Sequence, residues 1–238
     1  MNSPANPTLS DASQAWHARQ RAEICRVGRS LFERAYVHAT AGNISVRVPV
    51  EHGAGILITP TDACLGFLHA QDMVWIGNDG EPRSAGRASK TVVLHRQIYA
   101  ADPLAHCVIH THSTHLVALS LLSAASTGDD LLPGLTPYFV MKVGHVPRIA
   151  YHRPGDPAVA PLVVQQIQEA SSKNQRLNAV MCDRLGPVVW QSSAAGAMAV
   201  LEELEETARL CVLTQRHGPE PLTSTQIDEL RKHFGASW

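Results

Sequence analysis

The sequence predicts an α/β fold, with helices alternating with strands and antiparallel hairpins mixed into the sheet. Three observations carry this. Apolar residues recur at helical spacing in long segments, as at Ile24, Val27, Leu31 and Ala35. Between such segments lie short runs of strand length, either alternating, as in Ile44-Ser45-Val46-Arg47-Val48, or continuously apolar, as in Cys107-Val108-Ile109. Turn signals separate them, without repeats or low-complexity linkers. Residues 1–11, polar with two prolines, read as a flexible tail, and residues 12–238 as one domain.

The elements follow in order. Ala12 to Tyr36 forms a long first helix. Thr40-Ala41-Gly42-Asn43 is a turn into the strand Ile44–Val48, whose hairpin partner is Gly55–Ile58, closed by Thr59-Pro60-Thr61. Ser89 is placed as N-cap of a helix through Ala101. A strand then carries His110 and His112, followed by a short helix from about His115 to Ser123. A Gly/Asp/Pro-rich loop from Thr127 to Pro137 leads to a strand from Tyr138 to Val143. Asp156 to Ser172 is helical, Ala179–Cys182 and Val188–Trp190 are strands, and Ala194–Gln215 is a long helix. A last helix spans Thr225–Phe234, capped by Thr223 or Ser224.

Composition narrows the function classes. With 20 basic and 21 acidic residues and no basic block, the chain lacks a nucleic-acid or membrane-surface footprint. Cys25, Cys64, Cys107, Cys182 and Cys211 are scattered without a CxxC pair and read as reduced, buried small hydrophobes. The N-terminal segment has no apolar signal region, and no run of 18 apolar residues occurs. A cytoplasmic location is expected.

The richest stretch is Val108-Ile109-His110-Thr111-His112. Residues i and i+2 of a strand share a face, so both imidazoles can converge on one point outside the sheet. Neutral imidazole suits zinc and its neighbours. An isolated His-x-His is a weak motif, however, and polar residues at a strand end account for it equally well.

Read in order, GNISVR (42–47), ITPTDACLG (58–66), SKTVVLH (89–95), VIHTHSTH (108–115), TPYFVMKVGHVP (136–147), YHRPGD (151–156), LGPVV (185–189) and EELEETARL (202–210) resemble the class II aldolase/adducin family. The resemblance covers about residues 20–232, and it is the ordered set that is specific. Within the family the chain is similar to the 3-oxo-tetronate 4-phosphate decarboxylases, a branch related to fuculose-1-phosphate aldolase. This implies a single-domain three-layer α/β/α fold with a mixed, largely antiparallel central sheet. It also implies a homotetramer with active sites at subunit junctions, a phosphorylated sugar-acid substrate, and a divalent ion, zinc by type, holding an enediolate.

Carried over residue by residue, the resemblance assigns phosphate binding to Gly42, Asn43, Thr61, Ser89 and Lys90, and metal binding to His110 and His112. Tyr138 matches a tyrosine proton donor, and Thr91 stands where the family places a catalytic glutamate. A glycine turn, a helix N-terminus and a lysine in its first turn do suit an anion. Taken singly, the same residues read as an Asx-turn, a strand-end turn and a plain cap, and Tyr138 as a core residue. The third histidine ligand of the family is replaced by Leu185. His115, His145 and His152 are the local alternatives for it. The implied activity is a carbon–carbon lyase, with decarboxylation favoured because it needs no base in place of Thr91. An aldolase on another phosphorylated or keto-acid substrate, or an adducin-like oligomeric scaffold without chemistry, are the alternatives.

Overall fold

The computed structural model describes residues 9–122 and 129–238. Seven strands form one mixed sheet: β1 (Asn43–Val48), β2 (Gly55–Ile58), β3 (Val74–Ile76), β4 (Cys107–His110), β5 (Arg148–Ile149), β6 (Ala179–Cys182) and β7 (Gly186–Gln191). Their order is β3-β2-β1-β4-β7-β6-β5, antiparallel throughout except for the β5–β6 pair. The helices are α1 (Asp11–Glu33), α2 (Val92–Ala101), α3 (Thr114–Leu122), α4 (Val159–Ser172), α5 (Ala194–Thr214) and α6 (Ser224–Phe234).

Both sheet faces are covered, which is why several strands read as continuous apolar runs. On one face Leu57, Cys107, Ile109 and Val189 pack with Ile24 and Leu31 of α1 and Leu201 and Leu204 of α5. On the other, Ile56, Ile58, Val108 and Val188 pack with Leu94 and Ile98 of α2 and Val163 and Ile167 of α4. Neighbouring residues of one strand thus serve opposite layers, as the two-residue period requires. Burying a side chain of this size contributes about 1.5–3 kcal/mol, so the two layers share the stabilisation. No helix among the described residues is long and apolar enough to cross a membrane.

Several sequence expectations are corrected. Tyr138–Val143 is not a strand: Phe139–Val143 is a π-helical turn, with Tyr138 in helical backbone conformation before it. Phe139, Val140 and Val143 are all buried, an i, i+1, i+4 spacing that one face of a helical turn presents and that a strand's alternation does not. The Phe139 N–H also donates to Thr136 Oγ1 at 3.1 Å, which holds the turn's start. Ser89 does not cap α2 directly. The helix starts at Val92, with Thr91 at the cap position and making no side-chain capping bond. The Ser89 carbonyl instead accepts the Val92 N–H at 3.0 Å in a preceding turn. β4 ends at His110, so His112 lies beyond the strand. α4 begins at Val159, with the Asp156 carboxylate accepting the Ala158 N–H in the turn before it. The short strands β3 and β5 were not anticipated. The predicted tail lies mostly outside the described residues, although Ser10 caps α1 by accepting from the Ser13 N–H. The predicted boundaries at Ser123 and Thr127 lie outside the described residues too.

Candidate active site

The site forms where β1, β4 and β7 end beside the start of α2. Asn43 and His110 are directly paired across the β1–β4 ladder. Gly42 makes the entry into β1 possible. Its φ is +83°, and a Cβ there would lie 2.8 Å from the His110 carbonyl oxygen. Gly186, at φ +137°, plays the same part at the start of β7, because a Cβ would come within 2.0 Å of the Thr111 carbonyl oxygen. These close approaches bring residue 185 against the two histidines.

One cavity of about 180 Å³ is walled by Gly42, Asn43, Thr61, Ser89, Lys90, Thr91, His110, His112 and Leu185. Eight of the nine residues assigned from the sequence thus meet in one place. The exception is Tyr138, which is 58% exposed, has its ring 5.0 Å from the Lys142 ammonium, and does not line this cavity.

On the side that the resemblance assigns to a phosphate, several polar groups come together. Ser89 Oγ and Thr91 Oγ1 are 3.0 Å apart. The Lys90 ammonium is exposed and 3.4 Å from Asp62 Oδ1, a weak surface pair that leaves it available to a ligand. Asn43 is buried, and its Oδ1, an acceptor without a hydrogen-bond partner, suits a substrate hydroxyl, whereas an anion would take its Nδ2.

The histidine side is fixed by β7. His110 Nδ1 donates to the Pro187 carbonyl at 2.9 Å, which leaves Nε2 as the lone-pair nitrogen. Burial, with His112 adding to it, pushes the pKa of His110 down to about 4. That of His112 is lowered by burial and by His38. The His110 and His112 ring centroids are 5.1 Å apart, a separation compatible with two imidazoles sharing one ion.

A third ligand is not supplied. Leu185 fills the position, and among the described residues no three His, Cys, Asp or Glu side chains are grouped to hold a metal. His115 is bound to Glu205 at 2.8 Å. His145 is bound to Asp130 at 2.6 Å and stacked on Trp238. His152 Nδ1 donates to its neighbour Ala150 at 2.7 Å. A further ring beside the pair is His38, missed by the sequence reading, whose centroid is 6.3 Å from that of His112. Its position four residues before Gly42, in the turn leading to the site, was the available signal. Two nitrogens and a leucine do not complete the shell of a three-ligand zinc site.

A buried polar group lies behind the site, at a residue that the sequence placed in a helix and a motif but gave no role. His95, one helical turn beyond Thr91 on α2, is fully buried, with Nδ1 2.7 Å from Ser45 Oγ and Nε2 without a partner.

The family model for the class II aldolase and adducin N-terminal domain matches residues 22–212. A 3-oxo-tetronate 4-phosphate decarboxylase from Cupriavidus necator is 48% identical over 226 residues, covering 93% of this chain and 98% of its own. The protein of the same name from Escherichia coli is 38% identical, covering 89% and 94%. The crystal structure of YgbL from Escherichia coli superimposes with a TM-score of 0.78 at 35% identity, covering 90% of this chain and 99% of that one.

Proposed function

Because the chain belongs to the class II aldolase and adducin family, we propose that it is a carbon–carbon lyase that decarboxylates a phosphorylated 3-oxo sugar acid of the 3-oxo-tetronate 4-phosphate type. The observation that carries this reading is Thr91. It stands in the cavity wall between the anion-binding residues and His110, where it offers a hydroxyl and not a carboxylate. An aldolase starting from a ketose phosphate must remove a carbon-bound proton, which takes a base. A 3-oxo acid needs none for its bond cleavage. The C1–C2 electron pair moves toward the 3-oxo oxygen, C1 departs as CO₂, and the remaining enediolate takes a proton at C2.

The roles divide along the cavity. Gly42, Asn43, Thr61, Ser89 and Lys90 hold the phosphate, with the N-terminal end of α2 behind them. The Lys90 charge and the α2 terminus also favour the enediolate over the neutral ketone. Thr91 hydrogen-bonds a substrate oxygen. His110 and His112 would be the residues to hold a divalent ion, which when bound would supply Lewis-acid stabilisation of an enediolate. Since these residues alone leave the shell short, no step is routed through it.

Tyr138 acts as proton donor from a second copy in a homotetramer. Its exposure and its absence from the wall of its own chain's cavity support that arrangement.

The test is CO₂ release from a phosphorylated 3-oxo acid, measured beside retro-aldol cleavage of a ketose phosphate. Decarboxylation is expected to dominate, with Lys90→Ala raising KM. Faster retro-aldol cleavage would replace the reading with an aldolase. No turnover of either would favour the scaffold.

A further inference from the structure

A second cavity, of about 100 Å³, adjoins the first. Lys90, Thr91, His110, Gly155 and Leu185 belong to the walls of both. Away from that shared wall its character changes. The deep lining is Leu94, Val159, Ala160, Cys182 and Val188, all buried side chains of α2, α4, β6 and β7. The charged residues, Lys90, Arg153 and Asp156, are its more exposed members. Lys90 is paired with Asp62, and Arg153 and Asp156 lie 3.7 Å from each other. The chamber is closed on the site side by Leu185, where an imidazole would have presented a polar edge.

We propose that this apolar chamber is the subsite for the scissile carboxylate, and that it accepts the departing CO₂. The inference rests on the decarboxylase reading and adds the place where the leaving group goes. A carboxylate must shed its charge as the C1–C2 bond breaks: the electron pair passes to the 3-oxo oxygen, and the carboxyl carbon becomes neutral, apolar CO₂. The deep wall of Leu94, Val159, Ala160 and Val188 offers the carboxylate no hydrogen bond, unlike the mouth with Lys90, Thr91, His110 and Arg153, yet it accommodates CO₂ as it does any small apolar molecule. The ground state is therefore disfavoured relative to the transition state, in which the charge has moved toward Lys90 and the α2 terminus. A glutamate at position 91 would sit in this shared wall and repel the carboxylate, so Thr91 serves the same end. The volume suffices: an apolar protein cavity of about 150 Å³ holds benzene, and CO₂ is smaller.

Two measurements test this. Crystals of the full chain under xenon pressure should show xenon between Ala160 and Val188. In kinetics, Leu185→Asn places an amide donor beside the carboxylate. It should lower kcat about tenfold while KM stays level or falls, because the charged ground state is the species it stabilises. Leu185→Met, which keeps the wall apolar, should lose clearly less kcat than Leu185→Asn. Residue 185 is a half-buried turn position, so neither change empties the core; matched Tm values check that both variants fold. A wild type that releases CO₂ but takes up no xenon overturns the proposal. So does an Asn variant with unchanged kcat, or a Met variant as impaired as Asn. A wild type that releases no CO₂ overturns the decarboxylase reading together with this one, whereas the other failures leave that reading intact.

Discussion

Ser45 Oγ lies between two buried rings, 2.7 Å from His95 Nδ1 and 2.8 Å from the Tyr99 hydroxyl, and so ties strand β1 to helix α2. The Tyr99 hydroxyl in turn reaches the Ser45 carbonyl at 2.9 Å. Ser45→Ala should therefore cost about 1–3 kcal/mol, since it strands a buried imidazole nitrogen with no water to replace the hydroxyl. Urea unfolding checks the value. A loss below about 0.5 kcal/mol would mean that His95 finds another partner.

Acid should destabilise the protein in a defined window. Burial pushes the His95 pKa down to about 3 and that of His110 down to about 4, against 6.5 for a free imidazole. Below pH 6.5 the unfolded chain protonates these rings and the folded chain does not, so unfolding gains. Each histidine contributes about 1.4 kcal/mol of lost stability per pH unit at the steep part of that window. The loss ends once the folded values are passed. Denaturation midpoints between pH 7 and 4.5 should fall, and His95→Gln should flatten the slope.

Leu185→His returns an imidazole to the wall that already holds His110 and His112. At free zinc a hundredfold above Kd, the tightened site would add about 2.7 kcal/mol of stability, read as a zinc-dependent rise in Tm. The wild type should respond much less, and adding His110→Ala should abolish the gain. An equal zinc response in wild type and double variant would place the ion elsewhere.

Glu205 of α5 accepts the N–H groups of His115 and Leu116 at 3.1 and 3.2 Å, capping the start of α3 from across the core. Glu205→Ala removes that cap and His115's partner at once. A cost of about 2–4 kcal/mol is expected, above the usual cap value because the site is buried. Glu205→Gln, which keeps one acceptor oxygen, should recover part of it in the same thermal-unfolding measurement.

Legibility in the sequence followed the strength of local signals. The helices α1 and α5 and the β1–β2 hairpin were readable because long periodic segments and alternation bounded by Gly and Pro leave few competing structures. β3 and β5, of three and two residues, are too short to carry a period, and only pairing with β2 and β6 defines them. Tyr138–Val143 misled because a run of Phe, Val, Met and Val suits a strand by propensity, while tertiary burial selects the turn. The residues assigned near glycine and helix-start signals line one cavity. His38 was not picked out, since it sits in no motif, and His95, though it closes the SKTVVLH segment, was read only as a helix residue whose full burial the sequence does not show. The apolar chamber could not be read at all, because its lining comes from four separated elements.

Gly186 admits no side chain, and the carbonyl of Thr111 leaves it no room to shift. The backbone at residue 185 is thereby pinned by its neighbour, independently of what residue 185 itself carries. The position behaves as a socket: a leucine, an imidazole or an amide can be exchanged there while strand, turn and the facing histidines keep their places. A scaffold with such a socket can alter the chemistry of its reaction centre by one codon, without first having to evolve a new loop.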